Sequence, residues 1–203
     1  MSDFYDDLEA SFTEARRLIE PGATDRRSEA HCPSVATLDR NGHPSQRVMI
    51  LRHVDWAARK LRFHTDARSI KTQTLSECNA TSVLFYLPDA KIQLRIIGAI
   101  TIATTGDEVE QAWDAATLFA RRAYMATAAP GSIVDQPVSG LPKYIEGQQP
   151  TDDDIAPARA NFALLHVEFD TVEWLYLANS GHRRARWCWN ARNAKWEGCW
   201  LIP

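Results

Sequence analysis

The sequence predicts a mainly β protein, a small antiparallel β-barrel with flanking helices. Three observations carry that prediction. Short apolar stretches recur along the chain, separated by turn signals such as Asn41-Gly42 and Pro88-Asp89. Helices are few, and one of them, residues 107–126, is long. The chain of 203 residues, 45% hydrophobic, can bury one substantial core, and no repeat or composition break marks a second, so residues 1–203 read as a single domain.

Residues 3–19 read as a helix, because Phe4, Leu8, Phe12, Ala15 and Leu18 recur three or four apart on one face. Asp3, Asp6 and Asp7 suit its positive start and Arg16-Arg17 its end, and Pro21-Gly22 stops it. Residues 22–31 are polar and read as a loop. Ser34–Asp39 is a strand, and Asn41-Gly42 turns it into a partner strand, Gln46–His53. A turn over residues 55–60 leads to the strand Leu61–Thr65. Ser69–Cys78 is a short helix with Ser69 at the N-cap. Strands Thr81–Leu87 and Lys91–Thr104 follow, joined at Pro88-Asp89.

Asp107–Ala126 is an amphipathic helix of about five turns, with Val109, Trp113, Ala116, Phe119-Ala120 and Ala123-Tyr124 as its stripe. Residues 127–158 are rich in Pro, Gly and Asp and form a long irregular segment, a type that is often functional or mobile. Asn161–Phe169 and Val172–Leu177 are strands. Arg183–Ile202 is a hairpin with its tip at Asn193-Ala194, a register that sets Cys188 opposite Cys199 and Trp187 opposite Trp200. A disulfide is conceivable there, but two packed thiols suit a reducing compartment better.

A net charge of -3 leaves no nucleic-acid footprint over the whole chain. The charge is uneven, however: residues 43–71 and 181–203 together carry +9, and the remainder -12. Two basic segments in an acidic chain point to a localised anionic ligand rather than a polyanion. Cys32, Cys78, Cys188 and Cys199 have no metal-ligand spacing, and no HExxH occurs, so no metal is expected. The acidic N-terminus lacks an apolar signal core, and no apolar run reaches the ~20 residues a bilayer needs. The expectation is a cytoplasmic protein with no membrane partner. Neither G-x-S-x-G nor G-x-G-x-x-G is present, which removes the motif basis for nucleophilic hydrolysis and for a Rossmann site. His31, His43, His53, His166 and His182 show no triad or metal spacing, which leaves His64 as the histidine to place near a ligand.

The residues most suited to binding lie around the short helix at Ser69. A helix start offers unpaired N–H groups and a partial positive charge to a phosphate. Ser69 adds a hydroxyl and Lys71 an ammonium, and Arg47 on a nearby strand can add a bidentate clamp. Each charge-assisted hydrogen bond contributes roughly 1.5–3 kcal/mol, so three or four anchor a nucleotide-sized ligand. From spacing alone the plainer alternative stays open, in which Ser69 only caps the helix and Lys71 is a solvated charge.

Three stretches occur in order: Arg47-x-x-x-Leu51-Arg52, Phe63-His64-Thr65-Asp66-x-x-Ser69-x-Lys71 and Gln93-x-Arg95-Ile96-x-Gly98. Together they resemble the pyridoxamine 5′-phosphate oxidase-like FMN-binding split barrels, over most of the chain. The resemblance implies FMN as cofactor, a homodimer with the flavin at the subunit interface, and a small-molecule substrate or electron donor. It implies Arg47 at the phosphate or ribityl region and the backbone of Val48, Met49, Ile50 and Leu51 along the flavin ring. It also implies His64 and Thr65 on the ribityl-phosphate side, Ser69 and Lys71 on the phosphate, and Gln93 at the polar ring edge. A C-terminal arginine of the second subunit is implied too; Arg186 matches best, with Arg183 and Arg184 as alternatives.

Departures from the oxidases mark a changed activity. Ile70 stands where they carry Arg, His64 where they carry Tyr, and Leu177 where a Trp lies near the flavin. Their Tyr-x-x-x-Arg-x-x-x-Ser substrate-phosphate set has no counterpart around Arg121-Arg122-Ala123-Tyr124. The expected function is therefore a flavin-dependent oxidoreductase with an altered substrate site and no assignable catalytic acid or base. The alternatives are a flavin carrier or sensor without turnover, or a split barrel that binds haem or a deazaflavin.

Overall fold

Asp7 sets the start of the first helix, α1 (Leu8–Ile19), by accepting the Ala10 N–H at 2.8 Å. A separate 3₁₀ turn, Phe4–Asp6, precedes it, and Pro21 sits in the 3₁₀ turn that follows. The computed structural model describes residues 3–74 and 78–203 and, for Gln73 and Thr74, the backbone alone. These residues form two compact units. The first is Met1–Phe63, Cys78–Thr101 and His166–Pro203, and the second is His64–Glu77 and Ile102–Leu165.

In the first unit, β1 (Ser34–Leu38) pairs antiparallel with β2 (Pro44–Val48) across the Asn41-Gly42 turn. Gly42 has φ 78°, a conformation glycine adopts without cost. The strand predicted over Gln46–His53 is in fact two. β2 ends at Val48, and β3 (Leu51–Asp55) pairs instead with β4 (Lys60–Asp66). The remaining strands are β5 (Ala80–Leu87), β6 (Ile92–Ala103), β7 (Phe162–Tyr176), β8 (Arg183–Asn190) and β9 (Lys195–Leu201).

The pairing order is β2-β1-β5-β6-β7-β4-β3, with β8 joined to β7 and β9 to β8. β2 and β3 therefore stand at opposite ends of that order. Only Met49 and Ile50 separate them in the chain, and three Cα steps span no more than about 11 Å. The two ends of the sheet must meet without pairing, which curls it into a barrel with a split.

β7 is one continuous strand where two were predicted. Thr171 pairs with Cys188, so Asp170-Thr171 continues the ladder instead of turning. The C-terminal hairpin also differs from its predicted register by two residues. Its turn spans 191–194, so Cys188 faces Glu197, Arg186 faces Cys199 and Ala185 faces Trp200. Asn190 and Asn193 both donate to Glu197 Oε1, at 2.7 and 3.0 Å, which holds the wider turn. Cys188 and Cys199 are free, exposed thiols and do not pack together as expected.

In the second unit, α2 covers Ile70–Thr74, and the 75–77 part of the predicted helix lies outside the described residues. The predicted five-turn helix is broken. α3 (Asp107–Ala115) ends where Ala116 turns extended at ψ 140°, and Thr117 then caps α4 (Leu118–Arg121) by accepting the Ala120 N–H. A 3₁₀ turn, Arg122–Met125, completes the stretch. The break leaves Phe119 69% exposed, while Val109, Ala112, Trp113 and Met125 are buried. Residues 127–158 are irregular apart from α5 (Asp152–Ile155), which carries a Thr151–Asp154 capping box, and the start of the 3₁₀ helix Ala156–Asn161. Phe162 centres this core, with the rings of His64, Tyr124 and Trp113 at 4.9, 5.1 and 5.3 Å. Among the described residues no helix is long and apolar enough to cross a membrane.

Candidate functional site

Alternation along β2 decides where Arg47 points. Arg47 pairs with Val35, which puts its side chain on the face of the buried Val35 and Thr37. The guanidinium donates to Thr37 Oγ1 at 2.8 Å, Ser45 Oγ at 2.7 Å and the Val35 carbonyl at 3.3 Å. Burial pushes its pKa down, though far from enough to discharge an arginine. These hydrogen-bond partners are all neutral. A half-buried cation with only neutral partners suits an anion.

Beyond Val48 the chain leaves the sheet ladder for two residues. Val48 and Ile50 are 67% and 41% exposed, whereas Met49 and Leu51 are buried. The Met49 N–H is already taken by the Pro33 carbonyl at 3.0 Å. Of the predicted main-chain contacts, that N–H is therefore occupied.

The densest polar cluster in this unit centres on Glu173, which the sequence reading did not single out. β7 and β8 set Glu173 directly opposite Arg186, with Arg184 two residues along the same face. Arg186 Nε donates to Oε1 at 2.8 Å and Arg184 Nη2 to Oε2 at 3.1 Å, while Arg95 on β6 donates to Oε2 as well. Gln93 and Arg95 share the half-buried face of β6, with Leu94 and Ile96 fully buried on the other. Arg183, the remaining alternative, is held elsewhere by Asp6 at 2.6 Å. An acidic residue between the apolar Val172 and Trp174 was the available signal, because a carboxylate in a strand core needs cationic partners.

Burial pushes the Glu173 carboxyl up, but hydrogen bonds from Arg95, Arg186 and Arg184 outweigh it and hold the pKa at about 2. The ordinary value is 4.5, so this stabilisation is complete above that pH and is lost as pH falls towards 2. Discounted for the solvent that reaches the arginines, it amounts to on the order of 2 kcal/mol. Acid unfolding of Glu173→Gln is expected to lack that part of the slope between pH 4.5 and 2. Identical slopes in variant and parent would refute the assignment.

In the second unit Asp66 organises the residues after β4. Its Oδ1 accepts the Arg68 N–H at 2.8 Å, and its carboxylate also takes Arg68 Nε and Nη2 at 3.1 and 2.8 Å. Arg68 Nη1 reaches the Ala126 carbonyl at 2.9 Å. The resulting turn brings Ser69 and Lys71 together, with Lys71 Nζ 3.1 Å from Ser69 Oγ. Thr65 and Ser69 are both 4% exposed. Thr65 Oγ1 is buried with no hydrogen-bond partner among the described residues. His64 packs edge-on against Phe162. A buried hydroxyl without a partner, in the same unit as a Lys–Ser pair, fits a polar, phosphate-bearing group. Among the described residues no three His, Cys, Asp or Glu gather as metal ligands.

Residues 14–104 match the family described as "Pyridoxamine 5′-phosphate oxidase, FMN-binding domain". That stretch contains every predicted site residue except Arg186. A pyridoxine/pyridoxamine 5′-phosphate oxidase 2 of Arabidopsis thaliana is 29% identical over 150 residues, 70% of this chain and 72% of the relative. A pyridoxamine 5′-phosphate oxidase-related, FMN binding protein from Nostoc punctiforme PCC 73102 superposes with a TM-score of 0.69 at 21% identity, over 95% of this chain and 96% of that one. PhzG from Burkholderia lata 383, solved in complex with tetrahydrophenazine-1-carboxylic acid, gives 0.72 at 21%, over 100% and 98%. Both structures share the split-barrel fold with this chain.

Proposed function

Because the chain belongs to the pyridoxamine 5′-phosphate oxidase-like FMN-binding split-barrel family, we propose that it is a cytoplasmic, single-domain FMN flavoprotein acting as an oxidoreductase with an altered substrate site. The observation that carries this is the half-buried Arg47 guanidinium, paired only with neutral groups. Bound FMN would supply the redox chemistry, and the protein supplies binding, orientation and electrostatics. In the first unit we assign Arg47 to the phosphate or ribityl region, the Val48–Leu51 backbone to the ring, Gln93 to its polar edge and Arg186 to a positive charge beside the cofactor. In the second we assign His64 and Thr65 to the ribityl-phosphate side and Ser69 and Lys71 to the phosphate. The exposed apolar side chains of Val48, Ile50 and Tyr86 support a second copy of the chain covering this face, as a homodimer.

The purified protein should show the flavin visible spectrum, or acquire it on titration with FMN. A colourless protein that FMN leaves unchanged defeats the proposal. The break in the predicted helix at Ala116–Thr117, where the oxidases' substrate-phosphate set has no counterpart, favours one second reading: a flavin carrier or sensor without turnover. Stopped-flow mixing with NADH, NADPH or pyridoxine phosphate separates the two, since rapid flavin reduction by any of them identifies an enzyme.

A further inference from the structure

The basic cluster on β6, β7 and β8 carries more charge than its one carboxylate cancels. Arg95, Arg184 and Arg186 surround Glu173, a local surplus of two positive charges. The nearby Asp6 does not reduce it, being engaged by Arg183. Glu173 occupies one nitrogen each of Arg95 and Arg184 and two of Arg186, although every guanidinium has five N–H donors. The carboxylate is 6% exposed, whereas the three arginine side chains keep 40%, 30% and 42%. The cations are thus anchored from below and open above.

Beside them lies a hollow of about 220 Å³ lined by Gln93, Arg95, Glu173, Trp174, Leu175 and Arg184. That is smaller than the ~300 Å³ at which ligand pockets usually begin, and wide enough for one oxyanion. Gln93 and Arg186 are assigned to the flavin, whereas Arg95 and Arg184 are not, and α3 and α4 supply no substrate-phosphate set. We propose that this hollow binds one oxyanion of a small molecule, a carboxylate or a phosphate monoester, and that Glu173 is the positioning residue that holds its arginine forks. Without Glu173 three like charges repel and their long side chains spread; with it the forks are set before the ligand arrives. Only the ligand's standing as the substrate of a flavin reaction rests on the proposed function. Anion binding itself does not.

Calorimetric titration of the whole chain as purified, at low ionic strength, with inorganic phosphate and separately with benzoate, tests this. One-site saturable binding of either probe is expected; phosphate alone identifies a phosphate-monoester site, and benzoate alone a carboxylate site. Arg184→Gln and Arg95→Gln should each weaken it about tenfold or more. Arg184→Lys, which keeps the charge and loses the fork, should recover only part, and it decides the matter if Arg184→Gln fails to fold. Glu173→Gln gives opposite signs for two roles. A merely charge-cancelling Glu173 predicts tighter anion binding in the variant, whereas a positioning Glu173 predicts weaker binding despite the added positive charge. No saturable binding of either probe, indifference to Arg184→Lys, or tighter binding in Glu173→Gln overturns the proposal. A missing flavin spectrum leaves it standing.

Discussion

Arg47→Ala and Lys71→Ala are each expected to weaken FMN binding by roughly 10- to 100-fold, the equivalent of one charge-assisted hydrogen bond. The two substitutions act through different local surroundings. Arg47 sits half-buried against Thr37, Ser45 and the Val35 carbonyl, so its cationic charge is poorly solvated, and a phosphate supplies the anion those neutral groups cannot. Its loss also strands the Thr37 hydroxyl, which is 3% exposed, and costs some stability. Arg47→Lys separates the effects, because it keeps the charge but not the fork, and affinity should fall by an intermediate amount. Lys71 stands 3.1 Å from the Ser69 hydroxyl; Lys71→Ala removes a point charge at little cost to the fold. Fluorescence quenching of FMN at two salt concentrations reads both. The parent's affinity should fall as salt rises, and the fall should be shallower in each variant. Unchanged affinity in both variants would remove the phosphate assignment.

Gly98→Ala should destabilise the chain by at least about 3 kcal/mol, a large share of the ~5–15 kcal/mol that a typical domain possesses, and Gly98→Val should not fold. A Cβ at residue 98 would lie 2.0 Å from the Glu168 carbonyl oxygen and 2.6 Å from Phe169 Cα. Both are backbone atoms of β7, so no side chain can swing aside, and β6 and β7 would have to part. That pair of strands also carries Arg95 to Glu173, so opening it disturbs the basic cluster as well. Urea unfolding gives the measurement: a lower midpoint with an unchanged slope is expected. A Gly98→Ala protein with the parent's midpoint would contradict the close approach. The glycine that ends the Gln93-x-Arg95-Ile96-x-Gly98 stretch is therefore explained by packing and not by a ligand.

The elements that depend on local chemistry were legible in the sequence. The Asn41-Gly42 turn, the alternation of Gln93 and Arg95 against Leu94 and Ile96, the acidic start of α1 and the irregular run after residue 127 each follow from residues within a few positions of one another. So did the order of motifs that marks the family. What the sequence could not decide was set by partners far along the chain. Nothing near Met49 or Ile50 says that β2 must pair with β1 and β3 with β4, because the break exists only to join the two ends of a curled sheet. The hairpin register is the local exception: Asn190 and Asn193, seven and four residues from Glu197, both donate to it, and the longer turn moves Cys188 away from Cys199. Glu173 drew no attention in the sequence, because the arginines that compensate it come from β6 and β8. Period and turn propensity act over a few residues and can be read there, whereas pairing, register and charge compensation are decided by which distant strands the folded barrel places side by side.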